Sequence, residues 1–246
     1  MEKNEYAKMY GLENTYWWYR GLHELIERYV QRHAKKTVGP LFVLDAGCGT
    51  GRMLEILGNY GIAEGFDYSE EALNFCKKRG LMNVVCQDLN TWQPPLEKYD
   101  VIISLDVLCH KTVISEDEVY RKFLSALKPH GLLIVNLPAF ELLRRKHDKA
   151  VHTKKRYTKR ATLIKMRTLG FRVESASYRL PFLFGIMVLK KMIESVSFDK
   201  TVRSDLASLP QWLNDVLLFF NRLENAIIFS GVSLPLGGSL FIVCRK

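Results

Sequence analysis

A glycine-rich turn between an apolar run and a helix is the feature that most restricts the fold of this chain. The apolar run is LFVLDAG at residues 41–47, a short strand that closes on glycine, and a helix is predicted from about residue 51 to residue 60. Gly47, Gly49 and Gly51 let the backbone turn tightly and let a ligand approach it closely. This order predicts the first βα unit of an α/β sheet.

Strands and helices alternate through the rest of the chain. Further strands are predicted at residues 63–67, 83–88, 99–107, 128–138, 171–180 and 239–246. Ser69 and Ser115 have the acidic residues after them that are typical of helix starts, and Gly170 ends a helix that begins near residue 158. Strands separated by helices predict an α/β fold with a doubly wound, mostly parallel sheet.

Aspartates stand at the predicted carboxyl ends of four strands, where sheets of this type bind ligands: Asp45, Asp67, Asp88 and Asp106. Asp67 lies twenty residues after Gly47, where a carboxylate can accept hydrogen bonds from both ribose hydroxyls, and this alone would also suit NAD. Asp45 argues against NAD, because a carboxylate at the mouth of the glycine turn repels pyrophosphate and favours an ammonium group. Asp88 and the apolar Leu89 suit an adenine ring and its amino group.

Five segments together resemble the class I S-adenosylmethionine-dependent methyltransferases. In chain order they are VLDAGCGTGRML, GFDYSEEAL, CQDL, YDVIISLDVL and LKPHGLLIVNLP, and the resemblance covers residues 38–180 and the last strand. It implies a Rossmann-like, seven-stranded sheet whose last strand is antiparallel. It also implies S-adenosylmethionine as cofactor and S-adenosylhomocysteine as product. The core residues expected to bind the cofactor are Asp45, Gly47, Gly49, Asp67, Tyr68, Asp88, Leu89 and Leu105.

Three further motifs resemble a small bacterial and archaeal group within that class. They are YWWYR at residues 16–20, the pattern H-D-x-x-x-H-x-x-x-R-Y-T that starts at His147, and PLGGSL at residues 235–240. YWWYR is expected on an N-terminal helix that closes over the donor, with Tyr19 or Arg20 near its methionine carboxylate. The resemblance also implies that the pocket is lined by His147, Asp148, His152, Arg156 and Tyr157, of which Asp148, Arg156 and Tyr157 are expected to contact substrate.

Three histidines are candidate catalytic bases: His110, His147 and His152. The last two lie in the segment 138–157, which follows strand five. This segment is therefore expected to be a loop at the edge of the sheet where the strands have their carboxyl ends and ligands bind, here called the ligand edge. His110 comes just after strand four, a position that faces the donor in the family. At least one histidine is expected to be neutral, because a general base must be unprotonated and because a charged histidine would repel the positive sulfur of the cofactor. In the alternative interpretation, His147 and Asp148 only hold the loop to itself.

Positive charge is concentrated in one part of the chain. Of 36 Lys and Arg residues, 11 fall between Arg144 and Arg167, where Asp148 is the only acid, and the formal net charge is +10. Such a surface attracts phosphates on lipids, nucleic acids or small substrates, although charge runs also simply face water. Five scattered cysteines without a C-x-x-C pair, and no signal-peptide core at the N-terminus, predict a reducing, cytoplasmic location and no metal site.

Apolar segments near the C-terminus raise the question of membrane contact. Residues 180–189 are too few to span a bilayer, and residues 225–244 are interrupted by Pro235 and two glycines, so no transmembrane helix is predicted. The chain is expected to be a single domain over residues 1–246, with an N-terminal helical cap at 1–37, a core at 38–180 and 236–246, and a helical insertion at 181–235. The insertion is interpreted as a lid, an interfacial membrane helix, a dimer surface or an ordinary helical cap.

The function predicted is methyl transfer to a small or lipophilic, anionic or lipid-linked acceptor. An Asp or Asn followed by two prolines and an aromatic residue is typical of amino-methylating relatives, but this chain has SLDVLCH at residues 104–110, which leaves oxygen, carbon, sulfur and other nitrogen acceptors open. An RNA methyltransferase is an alternative disfavoured by the lack of a recognisable RNA-binding module, and a non-catalytic cofactor-binding regulatory module is another. In an alternative prediction, the cytoplasmic protein makes peripheral contact with a membrane. The oligomeric state is left open.

Overall fold

The sheet follows the order that the alternating sequence pattern predicts. The computed structural model describes residues 3–196 and 209–246. The strands are β1 (Leu41–Ala46), β2 (Gly61–Asp67), β3 (Val84–Cys86), β4 (Tyr99–Leu105), β5 (Leu127–Pro138), β6 (Arg172–Arg179) and β7 (Ser239–Arg245). Their order in space is β3-β2-β1-β4-β5-β7-β6, with β7 antiparallel to both of its neighbours. The predicted seven-stranded sheet with an antiparallel last strand is confirmed.

Helices cover both faces of this sheet, as expected for a doubly wound fold. They are α1 (Lys3–Leu12), α2 (Trp17–Ala34), α3 (Arg52–Leu57), α4 (Glu70–Lys78), α5 (Glu116–Ala126), α6 (Lys146–Ala150), α7 (Lys159–Thr168), α8 (Pro181–Val196) and α9 (Gln211–Phe229). Side chains alternate between the two faces of each strand. Val101 and Ile103 of β4 therefore pack with α2 and α3, whereas Ile102 packs with α5.

Several predicted boundaries differ from the observed ones for local reasons. The helix predicted from residue 51 to residue 60 ends at Leu57 and continues as a short 3-10 turn, Gly58–Tyr60, because glycine stabilises a helix poorly. The strand predicted at residues 83–88 is only Val84–Cys86, an edge strand whose one partner in the described part of the chain is β2. The segment predicted as a loop at 138–157 contains the short helix α6.

The two predicted helical additions are both present. The N-terminal segment forms α1 and α2, and the insertion before β7 forms α8 and α9, while residues 197–208 of that insertion lie outside the described part. The expected single-domain division of the chain stays a prediction. Within residues 3–196 and 209–246, no helix has both the length and the apolar character that crossing a membrane requires.

Candidate active site

The glycine turn after β1 is held in place by the carboxylate at the end of β2. Asp67 accepts hydrogen bonds from the backbone N–H groups of Gly49, at 3.0 Å, and Ser69, at 2.9 Å. Gly47 and Gly49 have φ values of 92° and 53°, in the left-handed region that glycine adopts without strain. A Cβ added to Gly47 would also collide with Val107. The turn therefore requires glycine at both Gly47 and Gly49, the two turn positions predicted from the sequence to bind the cofactor.

Asp45 is a buried carboxylate beside this turn. Within the described residues its Oδ1 has no hydrogen-bond partner, and only 2% of the residue is exposed. Burial, together with the nearby carboxylates of Asp67 and Glu13, raises the pKa of Asp45 to about 8. A buried carboxylate that lacks a partner is a site for a cationic or hydrogen-bond-donating ligand group, because leaving it unpaired costs free energy.

Helix α1 lies directly over the glycine turn. The methyl carbon of Met9 is 2.7 Å from the point that a Cβ on Gly49 would occupy. The Glu13 carboxylate accepts hydrogen bonds from the Thr50 hydroxyl and from Arg79, whose Nη2 lies 2.6 Å away. The N-terminal segment thus covers the glycine turn through residues upstream of the YWWYR motif, and closure of that motif over the cofactor stays a prediction.

The two residues of that motif assigned to the cofactor lie in different surroundings. Tyr19 is buried and makes an edge contact with Trp18 at 5.0 Å between ring centroids. Arg20 is half-buried and lines a surface cleft together with Glu13 and Arg52. Cofactor contact by Tyr19 or Arg20 stays a prediction.

The remaining residues assigned to the cofactor follow β2, β3 and β4. Tyr68 is half-exposed beside Asp67, Leu89 is buried in the core, and Leu105, the last residue of β4, is partly buried. Asp88 is exposed, and its Oδ1 accepts hydrogen bonds from the backbone and side-chain N–H groups of Asn90 at 2.8 Å. These contacts hold the loop after β3 and leave the other carboxylate oxygen of Asp88 for a ligand.

Three polar side chains meet at the ends of β4, β5 and β6. Asn136 of β5 donates a hydrogen bond to Asp106, the residue after β4, at 2.9 Å. Burial raises the pKa of Asp106 to about 6, and Asn136 and the positive charge of Arg179 act in the opposite direction. Arg179 ends β6 and is fully buried, with its Nη2 donating to Asn221 at 3.1 Å. Among the described residues its Nε and Nη1 donate no hydrogen bond, and Nε is 3.8 Å from the Glu224 carboxylate.

Sequence analysis assigned no role to Asn136 or Arg179. Both stand near the carboxyl end of a predicted strand, in IVNLP and ASYRL, and that position was the available signal. Backbone strain marks the same edge: Asp106, Phe140, His152 and Leu180 all have positive φ values, which non-glycine residues rarely adopt and which concentrate at functional sites.

Two of the three candidate bases lie side by side. The ring centroids of His110 and His152 are 5.5 Å apart, and that of Tyr68 is 5.9 Å from His110. Burial, together with nearby positive charge that includes His152 and Lys111, lowers the pKa of His110 to about 4. The Nδ1 of His110 is 2.8 Å from the Thr112 hydroxyl. His147 lies on α6, five residues before His152, and is half-buried.

The other insertion residues hold the loop together. Asp148 and Arg156 form a buried ion pair at 2.8 Å, and Arg156 also donates to the Ala139 carbonyl at 2.9 Å. Tyr157 is buried in the core, and its hydroxyl donates to the Leu108 carbonyl at 3.1 Å. This arrangement matches the alternative in which Asp148 pins the loop to itself. Substrate contact by Asp148, Arg156 and Tyr157 stays a prediction, and the contacts of all three lie inside the protein.

The residues at the donor edge fit S-adenosylmethionine. The unpartnered Oδ1 of Asp45 suits an ammonium group, and each Asp67 oxygen keeps a second lone-pair site for a ribose hydroxyl after accepting its backbone N–H. The positive-φ glycines let a ligand approach the backbone of the turn. Among the described residues, no group of three or more His, Cys, Asp and Glu side chains is arranged to hold a metal ion.

Comparisons with known proteins agree with the predicted class of protein. Residues 43–131 match the family model described as a methyltransferase domain. The chain is 26% identical over 146 residues to the ubiquinone biosynthesis O-methyltransferase of Coxiella burnetii (strain Dugway 5J108-111), covering 54% of this chain and 61% of the relative. The chain thus spans about three fifths of the length of that curated relative.

Solved structures show the same fold. A SAM-dependent methyltransferase from Archaeoglobus fulgidus superposes with a TM-score of 0.55 and 20% identity, covering 91% of this chain and 94% of that one. Phosphoethanolamine N-methyltransferase 2 of Haemonchus contortus, in complex with S-adenosylmethionine, gives a TM-score of 0.56 and 18% identity, with 89% of this chain and 52% of that chain covered.

The class predicted from the sequence is therefore confirmed. The chain has the fold and the core sequence of the class I S-adenosylmethionine-dependent methyltransferases. S-adenosylmethionine is the cofactor of that class.

Proposed function

We propose that this protein transfers a methyl group from S-adenosylmethionine to an oxygen or nitrogen atom of a small, lipophilic acceptor that carries an anionic or oxygen-rich head group. The observation that carries the acceptor part is the buried guanidinium of Arg179 at the edge of the sheet where the strands have their carboxyl ends. Two of its nitrogen atoms have no hydrogen-bond partner among the described residues, although Nε lies 3.8 Å from the Glu224 carboxylate. A buried guanidinium suits carboxylate, phosphate and other oxygen ligands.

The acceptor head group would lie between the ends of β4, β5 and β6. The Oδ1 of Asn136 is buried without a partner in the described part, as are Nε and Nη1 of Arg179, so this place offers both donors and acceptors. Burial raises the pKa of Asp106 to about 6 and that of Glu224 above its usual range. A pKa of about 6 still leaves Asp106 mostly ionised at pH 7, so the attraction of an anion to this place depends on Arg179. The lipophilic part of the acceptor is supported by the apolar side chains of α8 and α9 that pack inward, among them Leu183, Met187 and Leu218.

In the mechanism, the cofactor supplies a methyl group on a positively charged sulfur. Asp45 would hold its ammonium group and Asp67 its ribose hydroxyls, so that the donor is fixed before transfer. His110 would accept the proton of an acceptor hydroxyl or amine. The backbone N–H of Thr112 donates to Nδ1 of His110 at 3.3 Å, which favours the tautomer with the proton on Nε2. His110 would therefore act as the base in the other tautomer, in which Nδ1 donates to the Thr112 hydroxyl and Nε2 is unprotonated. The lowered pKa of His110 keeps the ring neutral at physiological pH.

Two related proteins support the class of acceptor. One is named for O-methylation in ubiquinone biosynthesis and the other for N-methylation of phosphoethanolamine. The first name supports an oxygen acceptor with a lipophilic part, and the second supports an anionic acceptor. For this chain we propose only the kind of acceptor already described, with an oxygen or nitrogen acceptor atom, a lipophilic part and an anionic or oxygen-rich head group. We propose neither of the two named substrates.

The test is methyl transfer from S-adenosylmethionine with a labelled methyl group to a panel of lipid extracts, phenols, hydroxyacids and amines. We expect label in an extractable, lipophilic product, and a strong loss of product with Arg179→Met combined with Glu224→Gln, a pair chosen so that no lone charge stays buried. S-adenosylhomocysteine binding by that variant is the control for folding. Label in RNA, with a salt-dependent RNA mobility shift, would instead support an RNA methyltransferase. Tight cofactor binding without any product would contradict the enzyme proposal.

A further inference from the structure

Helix α9 turns its polar side inward and its apolar side outward. The side chains on its buried side include Asn214, Asn221, Glu224 and Asn225. Its outward side carries exposed apolar residues at helical spacing: Trp212, Val216, Phe219, Phe220, Leu223 and Ile227. Trp212 is 68% exposed and Phe219 58%. This arrangement is the reverse of an ordinary surface helix, in which the apolar stripe faces the core.

Buried hydrogen bonds fix this orientation. Asn214 accepts from the backbone N–H of Trp17 at 2.9 Å, and Asn225 donates to the carbonyl of Gly21 at 2.7 Å. Glu224 accepts from the backbone N–H of Leu180 at 2.9 Å. A rotation of α9 that buried its apolar stripe would break all of these bonds and leave polar groups without partners. The outward apolar side is therefore a consequence of how the helix is anchored.

Helix α8 extends the same surface. Phe182, Ile186, Leu189 and Ile193 are exposed and follow one another at helical spacing. The rings of Phe182 and Phe220 lie 5.9 Å apart and join the two helices. We call these four residues and the six of α9 the α8–α9 apolar surface. Contiguous exposed apolar surfaces of this kind mark sites of contact with membranes or other proteins.

The first part, residues 144–159, of the basic segment at residues 144–167 runs next to α8 and the end of α9, whereas Lys165 farther along pairs with Asp117 of α5 on the other face of the sheet. Lys191 of α8 donates to the Leu142 carbonyl at 2.6 Å, just before this segment, and Lys159 donates to Ser233, after the end of α9, at 2.6 Å. Lys149 and Lys154 within the segment are exposed. Positive charge next to an apolar surface matches a membrane with anionic lipids, where headgroups meet the charge and acyl chains meet the apolar side chains.

We propose that the α8–α9 apolar surface and the basic segment together dock this protein on an anionic lipid bilayer, with both helices lying in the interfacial plane. A second copy of the chain fits less well, because a symmetric contact through this surface would bring two basic segments together. The inference goes beyond the proposed function and does not depend on it: docking requires neither donor nor acceptor.

The test is co-sedimentation of the full chain with vesicles of phosphatidylcholine alone and with vesicles that contain about one third phosphatidylglycerol. We expect binding to the anionic vesicles, weaker binding to the neutral ones, and loss of binding at high salt. Phe219→Glu combined with Leu223→Glu should lower binding at least tenfold. Leu96→Glu is the matched control, because Leu96 is 78% exposed and lies in the loop before β4, away from this surface.

The basic segment is tested separately with Lys149→Ala and Lys154→Ala, each expected to lower binding to anionic vesicles about fivefold. Thermal unfolding of every variant confirms that it folds. Equal, weak sedimentation of the wild type with both vesicle types would overturn the proposal. So would a dimer in sedimentation velocity that Phe219→Glu with Leu223→Glu dissociates, since the surface would then be a subunit interface. Failure of either kind would leave cofactor binding, and with it the proposed function, untouched.

Discussion

His110 and His152 stand 42 residues apart in the chain, yet their rings lie 5.5 Å apart at the ligand edge of the sheet. The backbone brings them together: His110 forms a β-bridge with Thr153, and the N–H of Lys111 donates to the carbonyl of His152 at 3.0 Å. The loop after β4 and the insertion after β5 are thereby joined into one wall beside Tyr68.

The first prediction concerns the protonation of His110. Its pKa, lowered by burial to about 4, means that the ring stays neutral as pH falls from 8 to about 5, whereas a free imidazole titrates near 6.5. Histidine C–H resonances followed by NMR, and assigned with His110→Gln, should show this directly. Once an acceptor is known, His110→Gln should lower kcat by roughly a hundredfold or more, as expected for loss of a general base. The matched control is His147→Gln, and an equal loss with it would contradict the assignment of His110.

The second prediction concerns cofactor binding by Asp67. Asp67→Ala should weaken binding of S-adenosylhomocysteine at least tenfold, because it removes a charged hydrogen-bond acceptor and loosens the glycine turn. Isothermal titration calorimetry measures the change, and Asp215→Ala, at an exposed aspartate on α9, should leave the affinity unaltered. Preferential binding of NAD by the wild type would refute the donor assignment.

The third prediction links cofactor binding to pH through Asp45. With a pKa of about 8, the Asp45 carboxyl is mostly protonated at pH 7, but an ammonium ligand requires the ionised form. Binding should therefore release a proton, and affinity should rise as pH increases from 6 to 7.5, by up to about tenfold per pH unit. Calorimetry in two buffers with different ionisation enthalpies counts the proton. Asp45→Asn should abolish the release, and pH-independent binding by the wild type would count against Asp45.

The fourth prediction separates two roles for Asp148. Asp148→Asn breaks a buried ion pair with Arg156 and should lower the free energy of unfolding by about 3–5 kcal/mol. Asp117→Asn removes an exposed ion pair with Lys165 and should cost at most about 1 kcal/mol. Urea denaturation compares the two, and limited proteolysis should show earlier cleavage within 138–157 in the first variant. A higher KM for the acceptor with unchanged stability would instead make Asp148 a substrate residue.

Local sequence patterns were sufficient for the strands, the helices between them and the donor edge. The positions of the glycine turn, Asp45 and Asp67 at one edge could be predicted because parallel strands bring their carboxyl ends together, and their contacts with the cofactor stay a prediction. The antiparallel last strand followed from the resemblance and agrees with the observed pairing of β7.

The meeting of Asn136, Asp106 and Arg179 could not be predicted in the same way. Asn136 belongs to β5, Asp106 to the loop after β4 and Arg179 to β6, and β7 lies between β5 and β6 in the sheet. Their proximity depends on strand order and on the packing of α9 over the edge, where Asn221 receives the hydrogen bond of Arg179. Contacts between residues so far apart in the chain leave no local pattern.

Helix α9 shows most clearly which features the sequence determines and which the tertiary structure determines. Its sequence by itself determines a helix with one apolar and one polar side, since that pattern depends only on residue spacing. Which side faces inward was decided by tertiary structure, because Asn214 and Asn225 find buried backbone partners at Trp17 and Gly21, about 200 positions earlier in the chain. Pairing those buried groups holds the polar side in, and the apolar side is left to face outward.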